Sequence, residues 1–217
     1  MDFERELDLA LPPDLPNRAR VVTVAAHHLC LIDTANEHMN LTRITGAREA
    51  VVKHVVDSVA PWALFQRAAI VMDAGTGAGF PGIPLAAALP DTQFLLVDST
   101  QKKARFVEIA VAELGLENAE VCAERAEDVL RKSRVEIITA RAVAPLERAL
   151  AYFAVGFEQG ARALLYKGPD VEGEMKDAQA EAKRRRVGMA IVMRYSLPDA
   201  MGARTIVQIA RLSPSLK

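Results

Sequence analysis

Four glycines fall within eight residues at Gly75-Thr76-Gly77-Ala78-Gly79-Phe80-Pro81-Gly82, directly behind a short apolar run, Ala69 to Met72, and an acid, Asp73. The apolar run predicts a buried strand with Asp73 at its tip. A loop so poor in Cβ atoms turns sharply and lets its backbone approach a ligand closely. Ile83 to Leu89 then reads as a helix whose free N–H groups face the loop. Strand, glycine turn and helix N-terminus together make the nucleotide-binding half of a doubly wound α/β fold.

Two glycine registers overlap in this loop. Gly77-x-Gly79-x-x-Gly82 matches the dinucleotide pattern, which alone is a weak signal. Gly75-x-Gly77-x-Gly79 starts right after the strand and leaves Asp73 two residues before its first glycine. A carboxylate there suits a pyrophosphate badly. S-adenosylmethionine (SAM) has no phosphate and carries a cationic amino group and sulfonium, so the acid favours SAM over NAD on charge.

A chain of 217 residues allows one generous domain or a domain with an appended piece. We expect a helical extension over residues 1–66 packed on a cofactor-binding domain over residues 67–217. Net charge is −1, so any nucleic-acid contact must come from a local basic patch rather than a global field. Cys30 and Cys122 lie in apolar helical and strand contexts and read as reduced core residues. The acidic start, Met1 to Glu6, lacks the apolar region of a secretory signal, and no run is long enough to span a bilayer. The expectation is a cytoplasmic monomer with no membrane partner and no bound metal.

Along the chain, helices are expected over about 17–39, 47–62, 100–114, 146–155 and 171–186. Further strands are expected at 94–98, 119–123, 135–139 and 163–166. A closing hairpin pairs about 190–195 with 205–210 around Pro198 and Gly202. In the second helix Ala47, Val51, Val55 and Val59 form the apolar stripe, with Lys53, His54 and Asp57 one turn apart on a neighbouring face. Asp98 ends the second strand at a spacing where an acid meets ribose hydroxyls. Glu124 to Asp128, including Ala126 and Glu127, follows the third strand and offers backbone N–H groups and an acceptor to a base. Arg141 falls at the carboxyl end of the fourth strand, the edge at which open α/β sheets bind ligands. The basic run Lys183 to Arg186 ends a helix that begins with acids, an order that complements the helix dipole.

Several of these motifs resemble the RsmG (GidB) family of bacterial small-subunit ribosomal RNA methyltransferases. They are Asn40-Leu41-Thr42, Lys53-His54-x-x-Asp57-Ser58, the loop from Gly75 to Leu85, Asp98-Ser99, Lys102-Lys103-x-Arg105-Phe106, Arg125-Ala126-Glu127, Arg141-Ala142 and Lys167-Gly168. The chain departs from the family pattern before Asn40 and at Ala140, where a serine is usual. The resemblance implies a Rossmann-like class I methyltransferase fold, a mostly parallel seven-stranded sheet with an antiparallel C-terminal hairpin. It implies methyl transfer to N7 of a guanine in 16S ribosomal RNA or the small-subunit particle. It also implies SAM contacts at Gly75, Phe80, Ala126, Glu127 and Arg141. Together with the residues already singled out, the expected cofactor set is Asp73, Gly75, Gly77, Gly79, Phe80, Asp98, Ala126, Glu127 and Arg141. Arg141 is also the candidate catalytic clamp, and Asn40, Arg43, Lys53, His54 and Lys167 are candidates for the RNA.

Guanine N7 has a lone pair and no proton, so it attacks a sulfonium methyl without a general base. The chain has neither an Asn-Pro-Pro-Tyr-type motif to polarise an amine nor a Pro-Cys pair to add to a pyrimidine. Positioning would then supply most of the catalysis. Competing readings are the same fold with a small-molecule or protein acceptor, a nicotinamide oxidoreductase using the overlapping register, and a non-catalytic RNA-binding module. The last lacks clustered aromatics for base stacking.

Overall fold

The computed structural model describes residues 2–44 and 46–212. Seven strands form one sheet: β1 Ile70–Ala74, β2 Gln93–Val97, β3 Ala119–Cys122, β4 Ile137–Arg141, β5 Arg162–Lys167, β6 Val187–Ser196 and β7 Ala203–Arg211. Their order is β3-β2-β1-β4-β5-β7-β6. All pairings from β3 to β5 are parallel, whereas β7 runs antiparallel to both β5 and β6. The expected sheet and its C-terminal hairpin are both present. The chain winds one way from β1 to β3 and then jumps to β4 on the other side of β1. The carboxyl ends of β1 and β4 therefore flank the crevice where such sheets take ligands.

The strands are apolar on both faces because helices cover both. Alternate residues divide between two cores: Val71, Phe94, Leu96, Ile137 and Leu164 enter one, and Met72, Val97, Ile138 and Leu165 the other. The first core is roofed by α1 Phe3–Ala10, α2 Arg18–Met39, α3 Ala47–Ala50, α4 Asp57–Val59, α5 Gly82–Ala88 and α6 Gln101–Glu113. The second is roofed by α7 Ala126–Lys132, α8 Leu146–Tyr152, α9 Ala154–Glu158, α10 Val171–Asp177 and α11 Gln179–Arg185. Leu7, Val21, Ala25, Leu29 and Ile32 share the core of the sheet itself. The N-terminal helices thus complete one face of the sheet.

Local detail departs from the expectations in four places. Helix α1 has no counterpart among them; Asp2 caps it by accepting from the Arg5 backbone N–H at 3.1 Å. The expected helix over 47–62 is not uniform. Between α3 and α4 it widens into a π-helical stretch, Val51–Val56, and the Asp57 N–H reaches back five residues to the Val52 carbonyl. Val52 and Val56 are buried along with Val51, Val55 and Val59 of the expected stripe, while Ala47 is half-buried; α1 packs across this segment. The helices expected over 146–155 and 171–186 each break in two, at Phe153 and Ala178. The cysteines are not core residues. Cys30 lies exposed on the outer side of α2, and Cys122 is half-buried on β3, an edge strand.

Gly82 is where the sheet and the glycine loop press together. A Cβ there would lie 2.2 Å from Leu96 Cδ2 and 2.8 Å from an Asp73 carboxylate oxygen. We predict that Gly82→Ala lowers stability by about 1–3 kcal/mol, the usual cost of overpacking. Urea denaturation measures it, and an unchanged midpoint would refute the tight packing.

Candidate active site

The glycine loop is held from below by Asp73. This carboxylate is fully buried; its Oδ2 accepts from Thr76 Oγ1 at 2.7 Å and from the Gly82 N–H at 2.9 Å. Burial raises its pKa to about 6, although both hydrogen bonds and the charge of Arg141 act in the opposite direction. Above the strand tip, the Gly75 and Thr76 N–H groups both reach the Val97 carbonyl on β2. Gly79 has φ +98°, and a Cβ on it would lie 2.5 Å from Ile83 and 3.0 Å from the His28 ring. Glycine is required here for both conformation and space.

On one side of the loop lies a narrow cleft of about 170 Å³, walled by Gly75, Asp98, Ser99, Arg125, Ala126 and Glu127 among others. Asp98 Oδ2 accepts from the Gly77 N–H at 3.0 Å and Oδ1 from the Thr100 N–H at 2.8 Å. Each oxygen keeps a lone pair for a further donor, which suits a vicinal diol.

A wider cleft of about 470 Å³ opens beyond β4, lined by Lys53, His54, Arg141, Tyr166, Lys167 and Arg204 among others. Arg141 is anchored in it by a single nitrogen. Nη1 donates to the Lys53 and His54 carbonyls at 3.0 and 3.3 Å, to Asp57 Oδ2 at 3.2 Å and to Ser58 Oγ at 3.5 Å. Nε and Nη2 have no hydrogen-bond partner among the described residues. The guanidinium carbon stands 5.5 Å from the Phe80 ring centroid, within cation–π range. A constriction lined by Ala142, Val143, Tyr166 and Lys167 shares walls with both clefts.

Phe80 is buried between two histidine rings, His54 stacked at 4.7 Å and His28 tilted at 4.8 Å. His28 Nε2 donates to the Ala78 carbonyl at 2.8 Å, and His54 Nε2 is hydrogen-bonded to Thr42 Oγ1 at 3.0 Å. Burial drives both pKa values down, to about 4 for His28 and about 3 for His54; the nearby Arg141 charge adds to the second.

The expected residues therefore divide. Gly75, Asp98, Ala126 and Glu127 line the narrow cleft, and Lys53, His54, Arg141 and Lys167 line the wide one. Gly77 presents its N–H to Asp98, while Gly79 and Phe80 pack behind the loop. Asp73 does not face either cleft; it lies under the loop. Lys53 pairs with Glu49 at 2.5 Å, and Lys167 Nζ bonds to Glu174 and the Ala144 carbonyl, both at 2.7 Å. Asn40 ends α2 in a left-handed conformation, and Arg43 is exposed in the following loop. Sequence reasoning missed Asn36, whose amide clamps Thr42, and the hairpin residues Tyr195 and Arg204. Tyr195 and Arg204 carry no local signal, since their partner Asp57 lies far away in the chain, whereas Asn36 sits six residues from Thr42 and shows no pattern of its own.

This sheet order, with a glycine turn after β1 and an acid after β2, is the class I SAM-dependent methyltransferase fold. Solved structures share it. The O-methyltransferase TomG from Streptomyces achromogenes, in complex with SAM, is 16% identical at a TM-score of 0.57, covering 88% of this chain and 90% of that one. Magnesium protoporphyrin IX methyltransferase from Synechocystis PCC 6803, with bound SAM, is 16% identical at 0.59, covering 85% and 97%. Residues 23–198 match the GidB family, rRNA small subunit methyltransferase G. A relative from Solibacter usitatus, "Ribosomal RNA small subunit methyltransferase G", is 59% identical over 96% of this chain and 100% of its own length. The protein of that name from Carboxydothermus hydrogenoformans is 38% identical over 84% and 80%. The chain belongs to the GidB family and is a methyltransferase.

The histidines set a pH dependence. In the unfolded chain they take up protons below about 6.5, but the folded protein keeps them neutral down to about 4 and about 3. The unfolded state binds more protons across that window, so stability falls as pH drops through it. Asp73 acts oppositely, because its raised pKa makes the folded state take its proton first as pH falls through about 6. Two histidines outweigh one carboxyl. Each group contributes at most about 1.4 kcal/mol per pH unit. We expect urea stability to decline from pH 6.5 to 5, and His54→Asn to flatten that decline. A His54→Asn profile as steep as wild type would clear His54 as its source.

Proposed function

We propose that the protein transfers a methyl group from SAM to N7 of a guanine in the 16S ribosomal RNA of the small subunit. The observation that carries the N7 reading is that every base in the wide cleft is already committed. Asp57 is shared among Arg141, Tyr195 and Arg204, and Glu174 holds Lys167 and the Leu146 N–H. His54 is hydrogen-bonded and, with a pKa of about 3, a poor proton acceptor. An exocyclic amine or a ribose hydroxyl would need a base to take its proton. N7 needs none.

The residues present fit SAM. Asp98 retains acceptor lone pairs for the ribose hydroxyls, and Ala126 and Glu127 line the same cleft, where an adenine would be held. The bound cofactor supplies an activated methyl on a sulfonium. Arg141 offers the free edge of its guanidinium, Nε and Nη2, a planar fork that matches a carboxylate. A donor placed on N7 would occupy the attacking lone pair, so the fork is assigned to the SAM carboxylate rather than to the reacting edge of guanine. The cationic rim of the wide cleft, with Lys53, Lys167 and Arg204, suits the phosphates around a target nucleotide. Asn40 and Arg43 extend that rim on the loop after α2. We place the enzyme in the cytoplasm, acting as a monomer.

Incubation with labelled SAM and either 16S ribosomal RNA or small-subunit particles tests the reading. The expected product is labelled 7-methylguanosine; label in another nucleoside, or in no RNA, overturns it. For the cofactor, Asp98→Ala should weaken SAM by about 1.5–3 kcal/mol in calorimetry, the scale of a charged hydrogen bond. Asp98→Asn, which still accepts hydrogen bonds, should lose less. Arg141→Ala should weaken SAM similarly and leave turnover at saturating SAM largely intact. Arg141→Lys should restore little, since it lacks the fork. Loss of turnover with unchanged SAM affinity would move Arg141 to the RNA instead.

A further inference from the structure

Asp57 sits at the centre of a buried cluster drawn from four distant parts of the chain. It is 2% exposed, on α4 at the end of the π-helical stretch. Its Oδ2 takes Arg141 Nη1 from the end of β4 at 3.2 Å and Arg204 Nε from β7 at 3.4 Å. Its Oδ1 takes the Tyr195 hydroxyl from β6 at 2.8 Å, and that hydroxyl also reaches the Asp57 carbonyl at 3.1 Å. Beside it the Tyr166 hydroxyl of β5 donates to the Ser58 carbonyl at 2.6 Å. One carboxylate thus lies between two guanidinium groups, and burial with this anion raises the Tyr195 pKa, so its hydroxyl stays a donor.

We propose that Asp57 is a positioning residue: with Tyr195 as its own support, it sets the rotation of the Arg141 guanidinium so that Nε and Nη2 face the ligand. The inference rests on the role given above to Arg141. Among the described residues, every hydrogen bond of the Arg141 guanidinium leaves from Nη1, and the acceptors all lie within residues 53–58. A planar group pinned at one corner by four acceptors presents its opposite edge in a fixed direction. The two backbone carbonyls in that set bind any donor that arrives. Only the carboxylate both neutralises the charge and, through Tyr195 and Arg204, ties it to the C-terminal hairpin. Without that anion, Arg141 and Arg204 would face each other as like charges.

A double-mutant cycle on SAM affinity, read by calorimetry without turnover, tests this. Asp57→Asn should raise the SAM dissociation constant about tenfold, and Tyr195→Phe, which removes one supporting bond and no charge, about threefold. In an Arg141→Ala background neither substitution should weaken SAM further. Independent, multiplicative losses would make Asp57 a merely structural residue and overturn the proposal, as would wild-type affinity in folded Asp57→Asn. Should Asp57→Asn fail to fold, the Tyr195→Phe arm alone decides, by the same loss or persistence of its effect beside Arg141→Ala. Absence of SAM binding by the wild-type chain would overturn the assignment of Arg141 and this inference together. Intact binding without coupling overturns only the inference.

Discussion

The hydrogen bonds from Thr76 and Gly82 to the buried Asp73 carboxylate fix the geometry on which the site depends. They join the tip of β1, the start of the glycine loop and the first turn of α5 at one atom, Oδ2. With that joint closed, Gly75 and Thr76 are set against the Val97 carbonyl and Gly77 against Asp98. Two acids on neighbouring strands thus divide the work. Asp73 holds the loop from beneath, and Asp98 holds it from the side of the narrow cleft while keeping acceptor capacity to spare. Burial makes the first arrangement costly, as its raised pKa records. The loop can afford it because the hydrogen bonds organise a turn that has almost no side chains of its own to pack.

The N-terminal helices are part of the same device. His28 from α2 and His54 from the π-helical stretch enclose Phe80, and Phe80 in turn lies beneath the Arg141 guanidinium. A cation held by carbonyls on one side and a ring face on another gives up little freedom when it takes a ligand. Both histidines are kept neutral by burial, so no charge on the platform competes with Arg141.

The parts of the site that could be read in the sequence are those marked by a short pattern at a strand end. The glycine turn, the acid after β2 and the cation after β4 each announce themselves within a few residues, because strand ends at one sheet edge make their positions functional. Asp73 shows the limit. Its charge and place at the strand tip are local facts, but it is enclosed where Gly82 presses against Leu96 of the next strand, which no short window around residue 73 contains. The apolar period of 47–62 likewise gives a helix but not its widening. Asp57 then looks like a surface charge, whereas it is buried beneath β6 and β7. Arg141 lies 84 residues from Asp57, and Tyr195 lies 138 away. Such a cluster exists only once the sheet has closed.

A chain with a net charge of −1 must concentrate positive potential if it is to hold an RNA target. Several of its basic side chains are paired away from the clefts. Arg184 and Arg185 are paired with Glu181, and Arg48 with Glu6 and Asp199. The wide cleft gathers Lys53, Arg141, Lys167 and Arg204 around two acids, so its local balance is positive even where individual pairs form. A cleft built this way attracts phosphate only at close range, because screening at physiological salt removes fields beyond about 8 Å. For the RNA target proposed above, charge then acts once the nucleotide is near the sheet edge, and recognition at longer range falls to the shape in which the RNA is presented.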